Sequence, residues 1–448
     1  MQLDAQVSRE AVVAAADSLL LGLHRRGHFN GAVVLGRDGQ ELYARGFGPA
    51  NVAAGVDLTP DTPVDGGSIA KTFTAAAVLI LEEQGLISRS DRVQQHLREY
   101  PHADTRVMDL ITHSAGLPEA EYAFFDALIP ASTIKTTQLF LDVLRDRGVT
   151  TEYERGTRFR YSSLGFDVAA LLVERVTGRK WEEWLRERFF VPLRMDSTFV
   201  RPARLADWSG QRTLSYRRDG DSLVVNDVFD NEGFYGGSNL YFSARDLYRW
   251  SRSFYWRPVL TQDVRSRGAD AAILGEPGRS GRSAINLLGW YHLRGARRYH
   301  YPGALQGFWS SAYRDEDGRY SVVYVSNNSM PQWLRPLLTR ALIDIMEGRR
   351  AESTGPRTFV ELTAASLDSI SGSYEVEGMG DVVIHARDGR GYISVESGLE
   401  YQTIPVADGQ LYVPGLDVWI GFPAGSPGPF QHLTWLSVFH VGNGRRIR

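Results

Sequence analysis

The chain has 448 residues, 43% of them hydrophobic and 23% charged, and its formal net charge is −3. This length is enough for two or three domains, and the nearly neutral charge argues against a nucleic-acid partner, which needs a clustered basic surface. The absence of cysteine excludes disulfides, a thiol nucleophile and thiolate metal ligands.

The first residues contain no basic stretch followed by an apolar run, so no signal peptide is predicted. No part of the chain approaches about 18 uninterrupted apolar residues, so no membrane span is predicted. We therefore expect a soluble protein, cytoplasmic as the sequence is written, and periplasmic or secreted if a signal peptide has been removed.

The N-terminal part predicts a helix, a hairpin and a second helix. Ser8–Arg26 has an amphipathic helical pattern. Two alternating runs, Gly31–Gly36 and Glu41–Arg45, flank an Asp-Gly pair, which is a strong signal of a β-hairpin. A helix then begins at Ser68 and ends before Gly85. The pattern stays mostly helical to about residue 205, with clear helices at Gly165–Thr177 and Trp181–Phe189.

Strand patterns return late in this block. Phe308–Arg314 and Arg319–Ser326 flank a second Asp-Gly turn, and a helix follows from about Pro331 to Met346. Because strands open and close the block, we predict an α/β (α+β) fold in which one antiparallel sheet is completed by both ends and flanked by helices. The helical middle, about residues 78–205, is then an insertion subdomain.

The composition changes after a linker at residues 351–357. Six short β-rich runs follow at a spacing of about ten residues, which favours a small antiparallel barrel or sandwich. These runs are Val382–Ala386, Tyr392–Val395, Tyr401–Val406, Gln410–Val413, Val418–Phe422 and Leu433–Phe439. We therefore predict two domains, residues 1–350 and 358–448, of which the second is an antiparallel β-barrel.

One lysine stands out because the chain contains only three, among 50 basic residues. Lys71 follows Ser68 by three residues, so the two side chains share one face at the start of a helix. Free backbone N–H groups and the helix dipole stabilise negative charge near a serine at this position. An amine that is neutral part of the time can act as the base that activates this serine, whereas an arginine cannot.

The same spacing occurs a second time, at Ser132 and Lys135. This pair follows Pro130 and leads into a polar helix start at Thr136-Thr137. We interpret it as a coincidence on the surface, because a loose four-residue pattern is expected about once or twice by chance in a chain of this length.

Several further segments, in order, resemble one family. Asp109–Pro118 is similar to a Leu-Leu-Thr-His-Thr-Ser-Gly-Leu-Pro segment, Arg160–Gly165 lies where that family has Tyr-x-Asn, and Pro192–Thr198 is similar to Pro-Leu-Gly-Met-x-x-Thr. Gly236-Gly237-Ser238, ahead of Ser243–Leu247, resembles another of its signatures. With Ser68 and Lys71, these segments resemble the serine β-lactamase and penicillin-binding protein superfamily, in the class C β-lactamase-like branch that includes esterases and D-aminopeptidases. The resemblance covers roughly residues 10–345.

The resemblance implies a role for each matching residue. Ser68 would be the acylated nucleophile, Lys71 would take its proton, and Tyr161 would return a proton to the leaving group. The backbone N–H groups of Ser68 and Ala304 would form the oxyanion hole, next to Gly303 in the third motif. No metal or cofactor is implied, and the expected partners are a small-molecule or short-peptide substrate and, in a homo-oligomer, further copies of the chain.

Two positions depart from the family pattern. Ser163 replaces the usual Asn, and Tyr301 replaces the usual Lys or His, while His300 is expected to point to the opposite face of the strand as an ordinary surface histidine. Losing a charge-assisted hydrogen bond weakens binding by about 1.5–3 kcal/mol, or roughly tenfold to a hundredfold. We therefore expect a substrate without an essential carboxylate, which favours an esterase or aminopeptidase-like amidase over a D-alanyl-D-alanine carboxypeptidase or β-lactamase.

Three questions stay open at this level. The C-terminal barrel resembles lipocalin-like domains attached to some D-aminopeptidases, where it either places a loop, here Pro423–Pro429, over the active site or serves as a stabilising spacer. Gly66-x-Ser68-x-Ala70 also resembles the nucleophile elbow of an α/β-hydrolase, but the initial hairpin argues against that fold. The departures at Ser163 and Tyr301 allow a non-catalytic, penicillin-receptor-like binding module as well.

Overall fold

The computed structural model describes residues 7–448 except 118–126, 158, 221, 229, 256–258, 270–282, 287, 294–297, 316–318, 352–353, 356, 378–379, 396–399, 424–428 and 439–440. Pro118, the end of the predicted Thr-His-Ser segment, therefore lies outside the described residues. So does the centre of the loop Pro423–Pro429.

The two ends of the N-terminal block meet in one antiparallel sheet, which has seven strands within the described residues. In spatial order these are Ser283–Ile285, Tyr291–Leu293, Arg298–Leu305, Phe308–Asp315, Tyr320–Ser326, Gly31–Arg37 and Gln40–Phe47. Gly31 pairs with Ser326 and Arg37 pairs with Tyr320, so the first hairpin extends the sheet formed by the last strands. The predicted sheet shared by both ends is confirmed.

Both faces of this sheet are buried. Val33 and Leu35 face the terminal helices Arg9–Arg25 and Leu334–Met346. The alternate residues Ala32 and Val34 face the helical middle of the block. Alternation along the strand requires this division, and each Val or Leu side chain that is fully buried stabilises the fold by about 1.5–3 kcal/mol. Burial on both faces explains why Ala32–Leu35 is an uninterrupted apolar run.

Helices lie on the second side of the sheet, and among them Ala244–Ser253 makes the most extensive contact with its strands. They are Ala70–Glu83, Val107–Ile111, Thr137–Asp146, Leu164–Thr177, Trp181–Leu185, Val191–Leu193, Ala244–Ser253 and Gln262–Ala269. A π-helical turn, Arg186–Phe190, replaces the end of the α-helix that was predicted to reach Phe189. Ala70–Glu83 packs against Leu164–Thr177 and is buried from Ala70 to Leu81, which explains why it is apolar on all sides.

Short strands and turns connect these helices. Val64–Asp65 and Phe199–Val200 both pair with Leu240–Phe242, Lys135–Thr136 pairs with Glu232–Gly233, Pro49–Asn51 pairs with Val56–Asp57, and Tyr216–Asp219 pairs with Ser222–Val225. Single 3-10 turns occupy Gly67–Ile69, Val93–Gln95 and Leu205–Asp207. The strand Val64–Asp65 leads directly into the turn that carries Ser68, so its pairing fixes where that turn begins.

The C-terminal residues form a nearly closed antiparallel barrel, which has nine strands in the part of the chain that the structure describes. In spatial order they are Glu400–Gln402, Arg390–Val395, Gly380–Arg387, Gly372–Val376, Val441–Arg446, His432–Leu436, Val418–Gly421, Gln410–Val413 and Ile404–Val406. The predicted barrel is confirmed. The single strand predicted at Tyr401–Val406 is wrong, because pairing is interrupted at the buried Thr403 and its two halves lie on opposite edges of the sheet.

The barrel packs on the helix Leu334–Met346. Trp333 and Leu337 contact Trp419 and Val406 of the barrel, and Trp419 Nε1 donates a hydrogen bond to the carbonyl of Trp333 at 3.2 Å. A short helix, Ala364–Ile370, covers one end of the barrel through Leu367 and Ile370. The domain boundaries at residues 350 and 358 stay a prediction.

Among the described helices, none combines the length and the apolar composition that a membrane crossing requires.

Candidate active site

Ser68 lies in a tight turn at the start of a buried helix. It is the central residue of the 3-10 turn Gly67–Ile69, which continues without a break into Ala70–Glu83. Gly67 has a left-handed backbone with φ of +52°, and a Cβ on it would lie 2.6 Å from Ala304 N. The turn therefore requires glycine here for two reasons, its conformation and the close approach of another strand.

Lys71 is fully buried and its amine reaches the predicted nucleophile. Lys71 Nζ donates hydrogen bonds to Ser68 Oγ at 3.2 Å, Ser163 Oγ at 2.9 Å and the carbonyl of Gly237 at 2.7 Å. These three acceptors are uncharged oxygens. If the amine is neutral, its two N–H groups can remain on Ser163 and Gly237, which leaves its lone pair directed at Ser68.

Tyr161 approaches the same hydroxyl from the open side of the site. Its phenol donates a hydrogen bond to Ser68 Oγ at 2.6 Å, and its ring centre lies 4.9 Å from Lys71 Nζ. The side chain is 37% exposed, so the phenol is accessible from solvent while the amine is not. The structure thus brings the predicted Ser68, Lys71, Tyr161 and Ser163 into one cluster. Their catalytic roles stay a prediction.

His113 supports Tyr161 from behind, a contact that the sequence analysis did not assign. The two rings stack with centroids 4.6 Å apart, and His113 Nδ1 accepts the N–H of Ser162 at 3.0 Å. Burial, followed by the charge of Lys71, lowers the pKa of His113 well below its usual value, so the imidazole is neutral near pH 7. Its place in the Thr-His-Ser segment was the available signal.

Asp167 and Gly237 form the support for the amine, and the sequence analysis missed both roles. Asp167 Oδ1 accepts the N–H of Gly237 at 2.8 Å, which turns the carbonyl of Gly237 toward Lys71. A Cβ on Gly237 would lie 2.8 Å from the carbonyl oxygen of Ser163. The Gly-Gly-Ser segment seen in the sequence is therefore a backbone acceptor for the lysine.

The strand Arg298–Leu305 forms the other wall. Within the described residues it pairs with Tyr291–Leu293 only up to His300, so its second half faces the Ser68 turn. A Cβ on Gly303 would lie 2.0 Å from the carbonyl oxygen of Gly66. The predicted Gly303 and Ala304 thus lie against the turn, although the oxyanion-hole role of the Ala304 N–H stays a prediction.

Tyr301 and His300 lie on opposite faces of this strand. Tyr301 is 1% exposed and its ring packs against Tyr291 at 5.2 Å between centroids, so its phenol is not presented at the surface. His300 Nε2 lies 3.0 Å from Ser311 Oγ. The expectation of an ordinary surface histidine is wrong, because His300 is buried beneath the helix Leu334–Met346.

The second Ser-x-x-Lys pair lacks the geometry of the first. Ser132 lies in an exposed turn and Lys135 lies in a short strand paired with Glu232, so the two do not share a helix face. In the part of the chain that the structure describes, no three acidic or histidine side chains are grouped so that they could hold a metal ion.

Comparisons with known proteins show the family and the fold of the chain. A sequence profile of the Beta-lactamase family matches residues 15–346. Penicillin-binding protein 4* of Bacillus subtilis (strain 168) is 22% identical over 419 residues, which are 90% of this chain and 92% of that protein. The octameric penicillin-binding protein homologue from Pyrococcus abyssi has a TM-score of 0.67 at 19% identity, covering 96% of this chain and 99% of that one.

A second solved structure, the D-amino acid amidase from Ochrobactrum anthropi SV3, has a TM-score of 0.55 at 20% identity, over 70% of this chain and 90% of that one. These likenesses establish a shared fold. The family profile spans more than half of the chain, and its match includes every residue of the cluster around Ser68. The chain therefore belongs to the Beta-lactamase family, within the superfamily of serine β-lactamases and penicillin-binding proteins.

Proposed function

We propose that this protein is a serine hydrolase that cleaves an ester or amide bond of a small molecule or short peptide through an acyl-enzyme on Ser68. One observation carries the proposal, namely that two proton-transfer groups converge on a single hydroxyl. Lys71 Nζ lies 3.2 Å and Tyr161 OH lies 2.6 Å from Ser68 Oγ. A nucleophile within hydrogen-bond reach of a base and an acid is the arrangement that acyl transfer needs.

In the acylation step, Ser68 Oγ forms a bond to the carbonyl carbon while its proton passes to Lys71 Nζ. The carbonyl oxygen becomes an oxyanion, for which the N–H groups of Ser68 and Ala304 are the proposed donors. The bond to the leaving alcohol or amine then breaks, and Tyr161 donates a proton to it. Tyr161 recovers this proton from the lysine ammonium, so proton and electron counts balance.

Hydrolysis of the acyl-enzyme reverses these transfers. A water molecule attacks the carbonyl carbon of the acyl group on Ser68 Oγ, and a proton of this water moves to the Tyr161–Lys71 pair. The acid product leaves as Ser68 Oγ recovers a proton. Only Tyr161 of the pair is partly exposed, which supports its assignment as the group that exchanges protons with the leaving group and the water.

The wall opposite Tyr161 supports a substrate without an essential carboxylate. The family's usual cation is replaced by Tyr301, whose side chain is buried against Tyr291. Ser163, where the family has Asn, has its hydroxyl bonded to Lys71. Neither side chain supplies a positive charge to a substrate. We therefore propose esters or aminoacyl amides as substrates, with D-aminoacyl amides first because one structural neighbour is a D-amino acid amidase.

A covalent serine probe tests the proposal. Intact mass after incubation with a fluorophosphonate should show one adduct on the wild type and none on Ser68→Ala. Ser132→Ala is the matched control, because it removes the serine of the second Ser-x-x-Lys pair, and it should label like the wild type. No adduct on the wild type, or an adduct that persists in Ser68→Ala, would favour a non-catalytic binding module.

Substrate class is tested separately on matched pairs. We expect p-nitrophenyl esters and D- or L-aminoacyl anilides that lack a carboxylate next to the scissile bond to react at least as fast as their acid counterparts. A strong preference for the acid member of each pair would overturn the proposed substrate class without affecting the assignment of Ser68. A chromogenic cephalosporin reports β-lactamase activity in the same panel.

Self-association is a further part of the proposal. One structural neighbour is described as octameric, and it aligns with almost the whole of this chain. We therefore propose a homo-oligomer here as well. Light scattering on the purified protein would decide this, and a mass of one chain across a concentration series would rule the oligomer out.

A further inference from the structure

The peptide bond just before the Ser68 turn is held at both of its ends. Its N–H, which belongs to Gly67, donates to Asp65 Oδ1 at 2.8 Å. Its carbonyl, which belongs to Gly66, accepts a hydrogen bond from Ser310 Oγ at 2.7 Å. Asp65 and Ser310 come from two different strands, so the peptide is fixed between separate parts of the fold.

The surroundings of this peptide leave no room for a side chain at Gly66 or Gly303. A Cβ on Gly66 would lie 2.0 Å from the ring of Phe242, and a Cβ on Gly303 would lie 2.0 Å from the Gly66 carbonyl oxygen and 2.5 Å from Ser310 Oγ. These approaches are closer than side-chain carbons tolerate. The orientation of this peptide therefore determines where the chain enters the turn, and so where Ser68 Oγ points.

Asp65 lowers the stability of the folded protein at this position. It is 1% exposed, its Oδ2 has no hydrogen-bond partner among the described residues, and the charged groups that act on it are Arg201, Glu232 and Asp227. A buried carboxyl that is only partly satisfied lowers stability. Among the described residues, its carboxyl accepts a hydrogen bond from the Gly67 N–H, so this carboxyl is directed at the turn that carries Ser68.

We propose that Asp65 and Ser310 are positioning residues, which together clamp the Gly66–Gly67 peptide and thereby aim Ser68 Oγ at the substrate. This inference rests on the proposed function, because it assigns a purpose to the turn that presents the nucleophile. The two residues act through the backbone and do not touch the reacting atoms. A misplacement of the nucleophile by about 1 Å is enough to slow acyl transfer on the order of a hundredfold.

The chain offers a matched control in the neighbouring serine. Ser310 and Ser311 are adjacent and equally buried, but Ser311 faces the other side of the sheet and bonds to His300. We expect Ser310→Ala to lower the maximal rate of fluorophosphonate labelling about tenfold to a hundredfold, with the half-saturating probe concentration within about twofold of the wild type. Ser311→Ala should label like the wild type.

Asp65 provides a rescue test that a purely structural role would not pass. Asp65→Ala should slow labelling as Ser310→Ala does, whereas Asp65→Asn should recover most of the rate, because an amide oxygen can accept the Gly67 N–H. In the double variant Asp65→Ala/Ser310→Ala, the labelling rate should fall by less than the product of the two single effects, because both side chains hold the same peptide. Normal labelling of Ser310→Ala, equal loss in Ser311→Ala, or an Asn variant as slow as the Ala variant would overturn the proposal.

Hydrogen exchange separates this proposal from the proposed function. Amide exchange in the segment 64–69 should speed up about tenfold in Ser310→Ala and stay unchanged in Ser311→Ala, whether or not Ser68 reacts. A wild type that takes no label on Ser68 would refute the acyl-enzyme alone. Equal exchange in the two serine variants would refute the clamp alone.

Discussion

Replacing Asp65 by Asn should make the protein more stable near neutral pH, and the gain should depend on pH. Burial raises the pKa of the Asp65 carboxyl from 3.8 to about 7, against the opposing effect of the Arg201 charge. In the unfolded chain the same carboxyl returns to its usual range. An Asn side chain keeps an oxygen for the Gly67 N–H but never has to ionise inside the protein.

The direction in which stability changes with pH follows from the number of protons that the folded and unfolded states bind. Below about pH 4 both states carry the proton and Asp65 has no influence on the pH dependence of stability. Between about pH 4 and 7 the unfolded state has lost the proton and the folded state keeps it, so stability falls as the pH rises. At 1.36 kcal/mol per pH unit, this window of about three units corresponds to about 4 kcal/mol.

Urea unfolding of the wild type and Asp65→Asn at a series of pH values measures this effect. Other titrating groups are common to both proteins, so they cancel in the difference between the two free energies of unfolding. We expect this difference to grow in favour of Asn by about 1.4 kcal/mol per pH unit from about pH 4 to 7, and then to level off. A difference that stays flat, or that shifts toward the wild type as the pH rises, would refute the reasoning.

Two other substitutions test the cluster around Ser68, and a third tests the strand Arg298–Leu305 beside it. Ser163→Ala removes one of the three acceptors of the Lys71 amine, so labelling of Ser68 should slow about tenfold, as measured by probe kinetics. Tyr161→Phe should slow release of the amine from an anilide about a hundredfold or more, while release of p-nitrophenol from an ester in the first turnover changes little. The reason is that only the amine needs a proton to leave, and equal losses in the two first-turnover rates would contradict this role. Tyr301→Lys should lower the melting temperature without creating a preference for carboxylate substrates, because it buries an ammonium; a stable variant that prefers the acid would contradict this.

Local patterns account for the part of the fold that the sequence predicts well. The two Asp-Gly turns mark the hairpins of the main sheet, and apolar periodicity marks helices such as Leu164–Thr177, whose predicted bounds differ from the structure by one residue. The strand Val441–Arg446 escaped detection because Val-Gly-Asn-Gly-Arg-Arg has no apolar alternation, and pairing with neighbours on both sides holds it in the sheet. Thr403 likewise looks like a strand residue, and only closure of the barrel explains the break there.

The candidate site likewise has a part that the sequence predicts and a part that it does not. Ser68 and Lys71 are three residues apart on one helix, so the sequence places them together, and Tyr161 followed from an ordered motif. Asp65 and Ser310 could not be predicted, because their contacts are with backbone atoms and join strands that are 245 residues apart in the chain. Strand alternation correctly separated His300 from Tyr301, but alternation does not reveal that a helix covers the far face.

The same division applies to the backbone of the turn that carries Ser68 and to the side chains around it. Gly66, Gly67, Gly237 and Gly303 each meet another backbone or ring at a distance that a side chain would not allow. Such positions fix the relative placement of nucleophile, amine and strand, and they are visible in the sequence as glycines. Tyr301, whose buried ring packs against Tyr291, is not held by such an approach, so this position can change without disturbing Ser68. The glycines therefore fix the geometry of the turn, whereas the proposed substrate class depends on the side chains around it.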